Sequence, residues 1–243
     1  MNPEIIKLAK QFRLSVLSNN AMEFPHELSN EEYLLSILRA EAQAREERAV
    51  TARLKQARFP TFKGFDEFDC DFQKGVTEEQ LTLLAKLDWL DALFNLILIG
   101  PPGTGKTHIA LAVGNKAARE GYNVAFHTMD SLIHILKTQE ISSKSKHRMQ
   151  WFRKCDLIII DEMGYLPVSK TEANFFFSLI SELYESTSII ITSNKGFDGW
   201  AEILGDSILT TALLDRLTHR CQVLSLTDES YRLAHRKNIF KNL

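Results

Sequence analysis

The sequence has little cysteine and no long apolar run. Its three cysteines, Cys70, Cys155 and Cys221, are odd in number and far apart, which fits neither a disulfide framework nor a zinc site. No run of about 18 apolar residues predicts a transmembrane helix, and the N-terminus lacks the apolar stretch of a secretory signal. These absences predict a cytoplasmic protein. The net charge of −2 means that any nucleic acid would be bound by local basic patches.

A glycine-rich run is the strongest motif that the sequence does contain. Gly100-Pro-Pro-Gly-Thr-Gly-Lys-Thr107 satisfies G-x-x-x-x-G-K-[ST] at each fixed position, between the apolar run 96–99 and a helical pattern. Its glycines let backbone N–H groups approach phosphate oxygens, and the helix N-terminus favours their negative charge. We therefore predict a bound nucleoside triphosphate, with Lys106 at the β- and γ-phosphates and the Thr107 hydroxyl on Mg²⁺. A chance glycine-rich turn is the weaker alternative.

Acidic and amide side chains follow two further apolar runs. Asp161 and Glu162 end the run that starts at Leu157, and Asn194 ends the run 188–193. Ligands of α/β sheets bind where such strands end, so we predict Asp161 on Mg²⁺ and Glu162 on the attacking water. Asn194 could contact the γ-phosphate or position that water. Solvated acids and ordinary turn chemistry are the alternatives.

Arginines and a basic segment suggest contacts beyond one subunit. Arg216 could complete the site of a neighbouring subunit as an arginine finger, with Arg220 as the competing candidate and a plain surface arginine as the default. The segment 131–154 is basic and carries aromatic residues, which suggests either a solvated crossover or contact with DNA phosphates. Its candidate DNA-binding residues are Lys144, Lys146, Arg148, Arg153 and Lys154.

The hydrophobic pattern predicts two regions. Helices are expected over 4–17, from Ser29 or Asn30 to about Ala57, and over 77–94. From residue 96 onward, apolar strands alternate with amphipathic helices, which predicts an α/β fold with a parallel sheet covered on both faces. We assign 1–58 to a helical partner- or DNA-binding domain, 59–76 to a linker and 77–243 to the ATPase domain.

These motifs together resemble the AAA+ ATPases of the DnaA, DnaC and IstB clade, and most closely the IstB-like transposition helper ATPases. Besides the P-loop, the resemblance rests on Ile160-Asp-Glu-Met-Gly-Tyr165, Thr192-Ser-Asn194, Leu214-Asp-Arg-Leu217 and Ser230-Tyr-Arg232, and it covers nearly the whole chain. It implies a P-loop NTPase sheet in the order 5-1-4-3-2, a small all-α N-terminal domain and no C-terminal lid.

The resemblance also implies roles for residues at matching positions. Asn194 would be sensor 1, Arg216 the arginine finger acting between subunits, and Arg232 a substitute for sensor 2. The segment 131–154 would line a DNA-binding groove. The implied nucleotide-binding residues are Gly100, Pro101, Pro102, Gly103, Thr104, Gly105, Lys106, Thr107 and His108.

The hypothesis from the sequence is an ATP- and Mg²⁺-dependent switch. It would oligomerise through its ATP sites on double-stranded DNA and deliver that DNA to an IstA-like transposase. A DnaC-like loader of a replicative helicase is the alternative, and a P-loop kinase of a small metabolite is a further one.

Overall fold

The computed structural model of the chain describes residues 2–19, 28–165 and 167–236. The fold divides into two compact units, Met1–Ala52 and Arg53–Leu243. The boundary between them lies inside the long helix α3, which spans Asn30–Ala57.

The first unit is entirely helical where it is described. It contains α1 (Pro3–Gln11), α2 (Ser15–Ser18) and most of α3. The single helix predicted over 4–17 is wrong, because the chain breaks at Arg13, whose φ of 58° is left-handed. Helix α2 begins where the Glu41 carboxylate accepts hydrogen bonds from the backbone N–H groups of Ser15, at 2.9 Å, and Val16, at 2.6 Å. Since helix N-termini lack partners for these groups, the buried Glu41 fixes the start of α2.

Helix α3 begins and ends as its sequence predicts. The Ser29 hydroxyl accepts from the N–H of Glu32 at 3.3 Å, and the Glu32 carboxylate accepts from the N–H of Ser29 at 2.9 Å. This reciprocal pair is a capping box. The helix ends at Ala57, Arg58 takes a left-handed φ of 64°, and Pro60 prevents continuation.

The second unit is built on a five-stranded sheet. Its strands are β1 (Asn95–Ile99), β2 (Val124–Thr128), β3 (Leu157–Met163), β4 (Ser188–Ser193) and β5 (Cys221–Ser225). Every pairing is parallel, and the spatial order is β2-β3-β4-β1-β5. Taken from the other edge this is 5-1-4-3-2, which confirms the predicted order. Because parallel strands end at one edge, the carboxyl ends of β1, β3 and β4 lie next to one another.

Helices cover both faces of this sheet. They are α4 (Glu78–Lys86), α5 (Asp88–Asp91), α6 (Lys106–Arg119), α7 (Met129–Thr138), α8 (Ser143–Phe152), α9 (Lys170–Leu183), α10 (Trp200–Leu204), α11 (Ser207–Thr218) and α12 (Tyr231–Ala234). One buried cluster packs α7 to α11 against one face, and a second packs α4 and α6 against the other. Along β3, Ile158 and Ile160 belong to the first cluster and Leu157 and Ile159 to the second. Burial on both faces explains the continuous apolar strands in the sequence.

The helix predicted over 77–94 is divided in the structure. It becomes α4 and α5, which meet at Leu87 with a left-handed φ of 64°. Its start was predicted correctly, since Thr77 and Gln80 form a capping box there. Within the part of the chain that the structure describes, no helix is long and apolar enough to cross a membrane.

Strand β3 is irregular at its carboxyl end. Ile160 pairs with Ile191, whereas Met163 pairs with Ser193, so three steps along β3 match two along β4. The extra residue forms a β-bulge, in which Glu162 has a φ of 62°. The bulge lies at the edge where the sequence predicted a ligand site.

Candidate nucleotide-binding site

The turn after β1 comes close to other parts of the chain at two glycines. A Cβ on Gly100 (φ 156°) would lie 1.9 Å from the carbonyl oxygen of Leu226. A Cβ on Gly105 (φ 95°) would lie 2.6 Å from Cε2 of Phe68. Both positions therefore require glycine. The turn leads directly into α6, whose first N–H groups have no partner within the helix and can bind an anion.

Lys106 is held inside this turn. Its Nζ donates to the carbonyl oxygens of Gly100, at 2.6 Å, and Pro101, at 2.7 Å, and its side chain is buried. Burial lowers the pKa of Lys106, the nearby Asp161 carboxylate opposes this shift, and Arg232 adds to it. An anion bound in the turn would supply the charge partner that the two neutral carbonyls lack.

Thr107 and Asp161 meet at the predicted edge of the sheet. The Thr107 hydroxyl donates to Oδ1 of Asp161 at 2.9 Å, joining the start of α6 to the end of β3. The Thr192 hydroxyl, on β4, donates to the same oxygen at 2.5 Å. Asp161 is almost completely buried, and these two hydroxyl groups stabilise its carboxylate.

This pair of oxygen donors fits Mg²⁺ bound together with a triphosphate. Mg²⁺ prefers oxygen ligands and is usually held by one or two protein groups plus phosphates and water, rather than by a cage of side chains. No cluster of three or more His, Cys, Asp or Glu side chains suited to a metal occurs among residues 2–19, 28–165 and 167–236. Thr107 and Asp161 would hold the ion.

Glu162 and Asn194 lie beside this pair. Both are exposed, and both line the same cavity as Lys106 and Thr107. Asn194 Oδ1 lies 3.0 Å from the position of a Cβ on Gly164, so it sits close to the loop that follows β3. The structure thus brings together five residues predicted from separate motifs: Lys106, Thr107, Asp161, Glu162 and Asn194.

These residues line one cavity of about 930 Å³. Its other walls come from the segment before the sheet, including Phe68 and Gln73, and from α12, including Tyr231 and Arg232. This volume is within the range of pockets that hold nucleotide-sized ligands. Phe68 lies against Gly105 of the P-loop and also lines the cavity.

His108 has a different role from its neighbours in the motif. Its Nε2 lies 2.9 Å from the carbonyl oxygen of Gly64, and its ring meets Phe68 edge-on at 5.5 Å. It therefore fastens the segment 61–69 to α6, although it also lines the cavity.

Comparison with known proteins identifies the family. A family model described as IstB-like ATP binding protein matches residues 8–239. The chain belongs to this IstB-like family. An ATP-binding protein of insertion sequence IS21 from Pseudomonas aeruginosa is 42% identical over 87% of the IstB-like chain and 80% of its own length. One of insertion sequence IS5376 from Geobacillus stearothermophilus is 38% identical, over 87% and 84%.

Solved structures support the fold of the IstB-like chain. AMPPCP-bound DnaA from Aquifex aeolicus matches with a TM-score of 0.57 and 20% identity, over 72% of this chain and only 52% of the DnaA chain. The DnaC helicase loader matches with a TM-score of 0.52 and 18% identity, over 61% of this chain and 86% of its own. At these identities the likeness establishes the AAA+ fold alone.

The predicted arginine finger of the IstB-like chain lies away from this cavity. Arg216, on α11, donates to the carbonyl oxygen of Ala212 at 2.9 Å, and its guanidinium lies 4.8 Å from the centre of the Phe177 ring. Its competitor Arg220 donates to the carbonyl oxygen of Ala92 at 3.3 Å. Neither lines the cavity, whereas Arg232 does.

The basic segment divides into exposed and engaged residues. Lys144 and Lys146, on α8, and Lys154 are exposed. Arg153 is also exposed but forms an ion pair with Glu182 on α9. Three lysines are therefore available to an anionic partner.

Arg148 is not available to DNA, so the prediction that it binds DNA is wrong. Its side chain is only 5% exposed and donates to Nε2 of His127, at 2.8 Å, and to the carbonyl oxygen of Gln56, also at 2.8 Å. Burial and the charge of Arg58 lower the pKa of Arg148 to about 10. Arg148 thus joins α8 to β2 and to the end of α3.

Sequence reasoning missed Thr192 and the wall formed by Gln73 and Tyr231. The motif Thr192-Ser-Asn194 drew attention to its amide, although the hydroxyl two residues earlier contacts Asp161. The available signal was a threonine near the end of the strand predicted over 188–193, since Asp161 and Glu162 end another predicted strand of the same sheet.

Proposed function

We propose that this IstB-like chain binds ATP with Mg²⁺, hydrolyses it, and uses this cycle to assemble on duplex DNA and deliver it to the transposase of an insertion sequence. The observation that carries the proposal is the convergence of Lys106, Thr107, Asp161 and Glu162 on one cavity at the carboxyl edge of a parallel sheet. Relatives that are ATP-binding proteins of insertion sequences support the link to transposition.

ATP binding follows from the P-loop. The triphosphate would take the place now filled by the carbonyls of Gly100 and Pro101 as partners of Lys106, and would bind the free N–H groups at the start of α6. Thr107 and Asp161 would hold Mg²⁺ through their adjacent oxygens. The ion would neutralise charge on the phosphate oxygens.

Hydrolysis requires an oriented water. Glu162 reaches the cavity beside Asp161 and would accept the proton of the attacking water or hold that water in line. Asn194, from the adjacent strand end, would fix the γ-phosphate or the same water. Arg232, which also lines the cavity, would stabilise charge on the phosphates.

Assembly would place ATP between subunits. Arg216 lies outside the cavity of its own chain, and so it would act on the phosphates bound by a neighbour. ATP would then join subunits, and its hydrolysis would release them.

DNA would be bound by exposed lysines on the same unit. Lys144, Lys146 and Lys154 would contact phosphates, with Arg153 joining them if its ion pair with Glu182 opens. We assign partner or DNA contacts to 1–58, a connecting role to 59–76 and the ATPase to 77–243.

Sedimentation velocity with ATP, Mg²⁺ and duplex DNA tests the switch. The wild-type chain should form large complexes with ATP and smaller species with ADP. Lys106→Ala should remain small, because it loses the charge that binds the triphosphate. Lys116→Ala is the matched control and should assemble normally, because Lys116, on the same helix, is half-buried, lies outside the cavity and forms an ion pair with Glu120. Normal assembly of Lys106→Ala with ATP would refute the model.

The DnaC-like loader is distinguished in the same experiment. Its partner would be a helicase ring and single-stranded DNA. ATP-dependent assembly on single strands but not on duplex DNA would support that reading instead.

A further inference from the structure

We propose that Thr192 is a positioning residue that sets the geometry of both Asp161 and Glu162, an inference that rests on the proposed function of these two acids. Thr192 lies on β4, next to the end of β3, and is 1% exposed. It contacts both acidic residues through one oxygen atom.

The direction of each hydrogen bond follows from the chemistry of the groups. The backbone N–H of Glu162 can only donate, so Thr192 Oγ1 accepts from it, at 2.9 Å. The single hydroxyl proton of Thr192 is then left for Oδ1 of Asp161, at 2.5 Å. One hydroxyl therefore links the carboxylate that would hold Mg²⁺ to the backbone of the residue that would orient water.

The bulge in β3 explains why a side chain is needed here. Between the pairs Ile160–Ile191 and Met163–Ser193, β3 has one residue more than β4, so the backbone ladder between the two strands is interrupted. Thr192 supplies the partner for the N–H of Glu162 at this gap. It also supports the left-handed backbone of Glu162, whose φ is 62° and which a non-glycine residue adopts only when its surroundings impose it.

The consequence is a connection between the two strand ends. Asn194 follows Thr192 by two residues, so a movement of Asn194 on phosphate binding would reach Glu162 through β4 and this hydroxyl. The bond would hold Glu162 in one orientation before the reaction, which is where positioning residues contribute to rate.

Two substitutions separate the hydroxyl from the shape of the side chain. Thr192→Val keeps the shape and removes both hydrogen bonds, whereas Thr192→Ser keeps the hydroxyl. Thr187→Val is the matched control, because the Thr187 hydroxyl, just before β4, is also buried but donates to the carbonyl oxygen of Cys155, away from the cavity.

We expect Thr192→Val to lower kcat by about 10- to 100-fold with little change in KM, and Thr192→Ser to stay within about threefold of wild type. The affinity for a fluorescent ATP analogue should be measured with Mg²⁺ and with EDTA. The ratio of these two affinities should fall by about tenfold in Thr192→Val, because Asp161 loses its hydrogen bond from Thr192 and is misplaced. Thr187→Val should change neither quantity. If Thr192→Val does not fold, Thr192→Ala takes its place in both measurements.

The outcomes separate the role of Thr192 from the proposed ATPase activity on which it rests. A wild-type chain that binds the analogue but does not hydrolyse ATP would refute the proposed ATPase, and the Mg²⁺ measurement would still test Thr192. Thr192→Ser as impaired as Thr192→Val, or Thr192→Val no different from Thr187→Val, would overturn the role of the hydroxyl.

Discussion

Nε of Arg148, on the buried side of α8, donates a hydrogen bond of 2.8 Å to Nε2 of His127 on β2. Because Nε2 accepts, the other ring nitrogen of His127 carries the proton and donates to the Ser131 hydroxyl at 2.9 Å. The guanidinium also reaches the carbonyl oxygens at the end of α3. Arg148, whose positive charge suggested a contact with DNA, thus stabilises the fold instead.

Arg148→Met should destabilise the fold without altering contact with DNA. It leaves the buried His127 and the carbonyl of Gln56 without their donor, a loss of about 2–4 kcal/mol. For a unit of this size we expect a fall in Tm of roughly 5–15 °C.

Lys144→Met, on the exposed side of the same helix, is the control. It should leave Tm nearly unchanged and lower by about one the slope of log affinity for duplex DNA against log salt. A reduced salt slope in Arg148→Met, with normal stability, would return that residue to the DNA-binding surface.

His127 makes stability sensitive to acid. Burial, with the nearby charges of Arg148 and Arg58, lowers the pKa of His127 from 6.5 to about 3. Below about pH 6.5 the unfolded chain takes up a proton that the folded chain does not, so stability is lost as pH falls toward 3. Between pH 7 and 5 this amounts to about 2 kcal/mol.

His127→Gln provides the comparison, because its amide oxygen can still accept from Arg148 and does not titrate. Urea unfolding at pH 7 and pH 5 should show a smaller loss of stability for the variant than for the wild type. Parallel losses in the two proteins would show that His127 is not the responsible group.

Gly105→Ala should weaken binding of an ATP analogue by at least about tenfold, because the added Cβ meets Phe68 and the P-loop must shift. Gly121→Ala is a matched control. Gly121 also has a left-handed φ, of 109°, but a Cβ there would meet nothing within 4 Å. It should cost about 1 kcal/mol in stability and leave binding unchanged. Equal binding by the two variants would mean that the contact with Phe68 does not shape the loop.

The sequence predicted those parts of the fold that depend on local chemistry. The apolar strands, the P-loop and the start of α3 at Ser29 or Asn30 each follow from residues close together in the chain. The sheet order came from the family resemblance and is confirmed by the strand pairing. Arg216 was a candidate from the residues alone, and the resemblance chose it over Arg220. The breaks at Arg13 and Leu87 were not predictable, because neither residue is typical of a left-handed backbone.

The number of basic residues in 131–154 predicted a DNA contact for Arg148, whereas the helical spacing of apolar residues in α8 would have predicted that it is buried. The buried positions of α8 are Ser145, Arg148, Met149 and Phe152, the spacing of a helix face. Arg148 therefore shares its side with two large apolar residues, while Lys144 and Lys146 do not. Its partners on other elements could not be known from sequence, since they lie 21 and 92 residues away.

Arg216 is tested by mixing two inactive variants. Arg216→Ala keeps its own nucleotide-binding residues but offers no arginine to a neighbour. Lys106→Ala loses the charge that binds the triphosphate but still offers Arg216. If Arg216 acts between subunits, each variant alone should lose about 10³-fold in ATP hydrolysis, and their mixture should recover a measurable fraction.

Arg220→Ala is the companion variant, since Arg220 lies one turn further along the chain and also outside the cavity. It should hydrolyse ATP at close to the wild-type rate. Recovery by Lys106→Ala mixed with Arg220→Ala, but not with Arg216→Ala, would transfer the role to Arg220.

The contact between the Arg216 guanidinium and the Phe177 ring must open for Arg216 to reach a neighbouring subunit. Phe177→Leu should therefore preserve or raise the rate of ATP hydrolysis. A fall to the rate of Arg216→Ala would mean that the ring holds the arginine in its working position.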